Sequence, residues 1–237
     1  MTQIVNLPLN GSLVDSKSGA TGSFLRASTA WYMDENNVLQ EVASDIPRFA
    51  GRPQETFVNY CLQSRNFDTS PWDVSETPTV AQNAVGIDGV ANTAWTITDD
   101  DASNFEYIFQ LITVPNDSNT HTLSMFIKKD NDVSRFPEIQ FSFGATVLHF
   151  VQFNTATGAT FERSDTAPDD TVVVESWGDW WRLIISSTNN SSGQTEARVR
   201  IYPAISAVWE STQGAATGSI IIDQAQVELD QSFASRP

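Results

Sequence analysis

The sequence predicts an all-β protein, an antiparallel jelly-roll β-sandwich preceded by an extended N-terminal arm and a β-hairpin. Three observations predict it. Apolar residues recur at every second position through most of the chain, turn-forming clusters separate these runs at short intervals, and no segment carries a helical stripe of useful length. Alternation at period two gives each strand one buried and one solvated face, which is the pattern of antiparallel sheets.

The elements follow in order. Residues 1–23 are thin in core material, with Gly11, Gly19, Gly22 and four serines among residues 10–23, and read as an arm. Phe24 to Tyr32, the turn Asp34-Glu35-Asn36-Asn37 and Val38 to Val42 read as a hairpin. The chain is expected to divide into 1–57, arm and hairpin, and 58–237, the sandwich. Within the sandwich the alternating sets are Phe105, Tyr107, Phe109 and Leu111, then Leu123, Met125 and Ile127, then Ile139, Phe141 and Phe143. Val172 and Val174, Trp181, Leu183 and Ile185, Ala197, Val199 and Ile201, and Ile220 with Ile222 continue it. Pro115-Asn116-Asp117, Lys129 to Asp132, Thr157-Gly158, Pro168-Asp169-Asp170 and Asn189 to Gly193 supply the turns. The expected core includes Phe109, Leu123, Met125, Phe141, Phe143, Leu183, Ile185 and Ile201.

Composition narrows the function. The 237 residues are 40% hydrophobic and 11% aromatic, enough to build a core. With 29 acidic against 13 basic residues the net charge is −16. Such a chain cannot neutralise phosphates and is repelled by anionic lipid, so neither nucleic acid nor membrane is expected as a partner. Cys61 is the single cysteine, so no internal disulfide forms. Residues 1–25 lack a basic n-region and an apolar stretch, so no signal peptide is expected.

Four stretches in order carry a resemblance. They are Arg26-Ala27-Ser28-Thr29-Ala30 with Tyr32, Asp34 and Pro47-Arg48-Phe49; Asn59-Tyr60-Cys61-Leu62-Gln63-Ser64 with Phe67-Asp68 and Trp72; Gly178-Asp179-Trp180-Trp181-Arg182; and Gly218-Ser219-Ile220 through Glu228 to Ser235. Together they resemble structural proteins of tailed-bacteriophage virions, of the head-decoration, head-fibre or tail-fibre type, with a carbohydrate-binding-like, lectin-like jelly-roll domain. Asp179 stands where that pattern has glycine and Trp181 where it has tyrosine. The resemblance implies a non-enzymatic protein on the particle exterior, made in the host cytoplasm. It implies the major capsid protein or other virion proteins as partners, a homotrimer, and weak or no measurable binding of host surface glycan; a receptor-binding tail-fibre module and a free carbohydrate-binding protein are the alternatives. Arg26, Trp31, Tyr32, Arg48 and Phe49 are the expected anchoring and oligomer contacts.

Candidate sites are few. Trp177, Trp180 and Trp181 are the densest aromatic group. Alternation sends Trp181 inward with Leu183 and Ile185, leaving Trp177 and Trp180 as the candidate ligand-binding pair, with Trp177 the exposed member. Strand packing is the preferred reading for Trp180, and ligand binding the alternative. Asp99, Asp100 and Asp101 are the calcium candidates, but the sequence holds no Asp-x-Asp-x-Asp-Gly loop, and no cofactor is expected. His121 and His149 lie in strand-like runs without the spacing of a zinc site. No Gly-x-Ser-x-Gly elbow or phosphate-cradling loop is present. A glycosidase needs two carboxylates at a set separation, and the sequence singles out no pair.

Overall fold

The computed structural model describes residues 58–237 apart from 166–169, 212–213 and 236–237, with the backbone of two short strands before them. The chain divides into two units, Met1–Thr56 and Phe57–Pro237. In the first, β1 (Ala30–Met33) pairs antiparallel with β2 (Leu39–Val42). The expected arm, and the contact residues Arg26, Arg48 and Phe49, lie outside the described residues.

The second unit is a jelly-roll β-sandwich, and all of its pairings are antiparallel. Its strands are β3 (Asp73–Ser75), β4 (Thr79–Ala84), β5 (Ala94–Asp99), β6 (Tyr107–Thr113), β7 (Thr120–Lys128) and β8 (Phe136–Phe143). Then come β9 (Val147–Phe153), β10 (Thr160–Asp165), β11 (Thr171–Trp177), β12 (Trp180–Thr188), β13 (Glu196–Ser206) and β14 (Gly218–Glu228). They form two six-stranded sheets, β10-β9-β8-β13-β6-β3 and β11-β12-β7-β14-β5-β4. Successive strands mostly alternate between the sheets, so the core is built from inward residues of both. Leu123, Met125 and Ile127 of β7, Leu183 and Ile185 of β12, and Ile220 and Ile222 of β14 face Ile139, Phe141 and Phe143 of β8 and Val199 and Ile201 of β13.

Seven of the eight expected core residues are buried, and Phe109 is not. In β6 the inward set is Ile108, Gln110 and Ile112, while Tyr107 and Phe109 are half-exposed and Leu111 is exposed. The period holds but the phase is reversed. Gln110 is tolerated inside because its side-chain amide exchanges hydrogen bonds with the backbone N–H and C=O of Leu62, at 2.8 and 2.9 Å.

β7 and β8 are buried on both faces, for two different reasons. Over the second sheet, the segment after β14 folds back onto the outer face. Thr122 donates to the carbonyl of Gln231 at 2.6 Å, Ser186 to that of Ser232, and Gln226 to the Ser235 hydroxyl at 2.7 Å. Over the first sheet, Arg163 of β10 reaches Glu138 and Arg200 of β13 reaches Gln140. A register shift in β14 between Asp223 and Gln226, with Gln224 at φ 50°, resets the alternation so that Ala225 and Val227 also point inward.

Candidate functional site

The β11–β12 hairpin places the tryptophans. Two residues, Gly178-Asp179, connect the strands, and Gly178 takes φ 58° at the first central position, a conformation that glycine adopts without steric cost. The hairpin closes on the pair Trp177–Trp180, which puts both side chains on the outer face, while Trp181 turns inward beside Val172 and Val174. Trp181 donates its indole N–H to the carbonyl of Thr155 at 2.8 Å and packs on the core. Trp180 is buried against Phe126 and Ala94. Trp177 stays 40% exposed. It is nevertheless fixed: its N–H donates to Glu175 Oε2 at 3.0 Å, and Phe126 meets it edge-on with centroids 5.6 Å apart. A cleft of about 530 Å³ separates this hairpin from the turn at Gly86–Gly89, and Lys128 and Ser176 also line it. The two predicted ligand residues thus meet in one cleft, Trp180 as its packed wall and Trp177 as its accessible one.

The sequence reading missed a second surface, the outer face of the first sheet. Strand register lines its residues up in rows that run across the strands. Phe109 stands beside Arg200, Arg200 beside Gln140, and Gln140 beside Phe150. The neighbouring row holds Tyr202, Glu138, Gln152 and Phe161, with the Tyr107 ring 4.3 Å from that of Tyr202. Aromatic rings therefore stand toward the margins and polar groups in the middle. The polar groups are bonded to one another. Arg163 grips the fully buried Glu138 through two hydrogen bonds of 2.6 and 2.8 Å, Gln140 donates to Glu138 at 2.6 Å, and Arg200 donates to Gln140 at 3.0 Å. Glu138 raises the Arg163 pKa further by accepting both bonds. Burial pushes the Tyr202 phenol well above its ordinary value, so it remains a neutral hydroxyl. The available signal was the apolar alternate set in β6, Ile108 and Ile112, which competes with Tyr107, Phe109 and Leu111 for the inward phase.

The carboxylate clusters hold loops. Asp99 is buried and accepts the backbone N–H groups of Asp101 and Glu106 at 3.1 and 3.2 Å. Glu106 in turn accepts the Asp100 N–H at 2.8 Å, and Asp101 accepts from Ser103 and Asn104. The oxygens of this loop thus accept from its own donors. Among the described residues the donor atoms of Asp117, His121 and Asp230 lie within 4.8 Å of one another. However, His121 Nδ1 accepts the Asp230 backbone N–H at 3.1 Å, so the ring proton belongs on Nε2, 3.3 Å from Asp117 Oδ1. Both nitrogens are engaged, and the imidazole has no lone pair left for a metal. Cys61 is buried, and burial pushes its thiol up to about 12, so it is inert as a nucleophile.

Two of these groups set opposing pH dependences. Burial lifts Asp99 from 3.8 to about 6, so the folded chain keeps this proton where the unfolded chain has lost it. That contribution to stability is full below about 4 and is lost as the pH rises through about 6. Burial depresses His121 below its ordinary 6.5, so its contribution is present above that value and is lost as the pH falls through the depressed one. In Asp99→Asn only the histidine contribution remains of the two. Urea midpoints measured from pH 7 to pH 5 should therefore fall more steeply in the variant than in the parent, and parallel curves would show that Asp99 does not hold its proton in this range.

No protein-family model matches the chain, and no curated protein matches it. Solved structures similar to it include the enzymatically active domain of tailspike protein 4 of bacteriophage CBA120, at 13% identity and a TM-score of 0.43 over 72% of this chain and 21% of that one. A carbohydrate-binding module that recognises mannan is 11% identical, with a TM-score of 0.34 over 72% of this chain and 94% of that one. A promiscuous carbohydrate-binding module of the β-sandwich superfamily is 9% identical, with a TM-score of 0.35 over 84% of this chain and 72% of that one. The chain spans about a fifth of the tailspike domain.

Proposed function

We propose that this is a non-catalytic protein of the exterior of a tailed-phage particle, carried on the capsid shell as a decoration or head-fibre trimer, whose sandwich binds uncharged glycan weakly. The four ordered stretches from Arg26 to Ser235 support the placement on a virion. One observation carries the binding role, the outer face of the first sheet. There a row from Phe109 through Arg200 and Gln140 to Phe150 crosses four strands, about 14 Å at the usual strand spacing. Phe109, half-exposed at one margin, offers an apolar ring to a sugar, and the Arg200, Gln140, Glu138 and Arg163 groups beside it offer hydrogen bonds. Each contact is weak, and many copies on one particle raise the avidity.

A glycan array probed with the intact protein, Phe109→Ala and Arg200→Ala tests the binding role. Specific binding by the parent and about tenfold weaker binding by either variant is the expected result; no binding, or binding indifferent to both changes, sinks it. Copy number per purified particle tests the placement. Hundreds of copies fit a shell protein, whereas a few to tens would move it to a tail fibre, the receptor-binding reading that the same sheet face also supports.

A further inference from the structure

We infer that the cleft between the Gly86–Gly89 turn and the Trp177–Trp180 hairpin is a second, separate site, which takes a single neutral pyranose ring. It is independent of the sheet-face site, because it lies on the other sheet and shares no residue with it.

The first support is the indole. Exposed aromatic rings usually move, and ordering them on binding costs entropy. Trp177 is 40% exposed yet held at both ends, by its hydrogen bond to Glu175 and by the edge-on Phe126 ring. Glu175 is itself held 3.8 Å from Arg182. A flat apolar face is thus preset at the edge of a cleft of about 530 Å³, a size suited to a small ligand.

The second support is charge. Among the described residues Lys128 is the cation with neither an ion pair nor a hydrogen bond; its recorded neighbour is the Trp180 ring, 5.7 Å from its Nζ. The Asp179 carboxylate, on the opposite strand connection, likewise has no hydrogen-bond or ion-pair partner among them. An unpaired ammonium and an unpaired carboxylate therefore line the same cleft without pairing with each other. Ligand hydroxyls accept from the first and donate to the second. An anionic sugar would answer Lys128 but face Asp179 in a chain of net charge −16. A purely apolar ligand would strip water from both groups and return nothing. An uncharged, hydroxyl-rich ring with one flat face satisfies all three side chains.

The walls leave room for it. Gly89 and Gly178 both adopt positive φ, 77° and 58°, with nothing within 4 Å of where a side chain would begin. The backbone at both rims is therefore open to close approach.

The test follows the indole N–H signals of the 15N-labelled protein during titration with the methyl glycosides of glucose, mannose, galactose and N-acetylglucosamine, and with glucuronic acid as the anionic probe. The expected result is saturable movement of the Trp177 signal with at least one neutral glycoside in the millimolar range, and none with glucuronic acid. Lys128→Ala and Asp179→Ala should each weaken that binding about fivefold or more, and Phe109→Ala should leave it unchanged. Unchanged backbone spectra of the variants confirm that they fold. Three outcomes overturn the inference: no movement with any neutral glycoside, tighter binding of glucuronic acid, or equal binding after Trp177→Ala as reported by Trp180. Because Phe109→Ala disables only the sheet face, failure of either site is distinguishable from failure of the other.

Discussion

Replacing His149 with leucine is expected to cost about 1–3 kcal/mol of stability, as removing one partner of a buried polar contact does. The imidazole is fully buried in β9, with Nε2 3.0 Å from Glu162 Oε2 and Nδ1 3.2 Å from Asp170 Oδ2. Glu162 is 41% exposed and can turn to water when the ring is gone. The Asp170 side chain is fully buried and cannot. Asp170 also accepts the Ser187 hydroxyl at 2.8 Å and the Thr188 N–H at 3.0 Å, and so joins the start of β11 to β12. His149 thereby ties an inner strand of one sheet to the edge of the other, where the chain passes from β10 to β11. Urea unfolding of His149→Leu measures the loss. Asp170→Asn should cost less in that variant than in the parent, since the two residues belong to one network. A single variant as stable as the parent would show that the contact is incidental.

The second large effect separates the two faces of one sheet. Phe141→Ala should cost about 3–5 kcal/mol, because it empties a fully buried position between the sheets, where Phe141 meets Phe143 at a centroid distance of 5.2 Å. Phe109→Ala should cost no more than about 1 kcal/mol, because that ring is half-exposed on the outer face. The same change is the one expected to weaken glycan binding. Denaturation midpoints of the pair decide the matter: a large loss at Phe109 would place its ring in the core and remove it from the proposed binding row.

The sequence by itself determined the class of fold, the period of the strands and most of the inward residues. β7, β8, β12 and β13 carry bulky aliphatic and aromatic residues at every second position, and a one-residue slip would turn the whole set to solvent. The sequence also brought Trp177 and Trp180 forward as a pair, and the two-residue turn that sets them opposite each other on one face is seen in the fold. Three things were decided only by the tertiary structure. The phase of β6 was open because both of its faces are largely apolar, and it was settled by a distant partner, the Leu62 backbone, which satisfies the inward Gln110. The row of Phe109, Arg200, Gln140 and Phe150 joins β6, β13 and the β8–β9 hairpin, three segments far apart in the chain, and no local pattern encodes that they become neighbours. The burial of polar residues in β7 and β8 likewise depends on what crosses their outer faces, the returning segment Gln231–Ser235 on one sheet and the Arg163 and Arg200 side chains on the other. Alternation records which side of a strand a residue takes. What lies on that side depends on contacts between segments remote in sequence, and those form only when the sheets assemble.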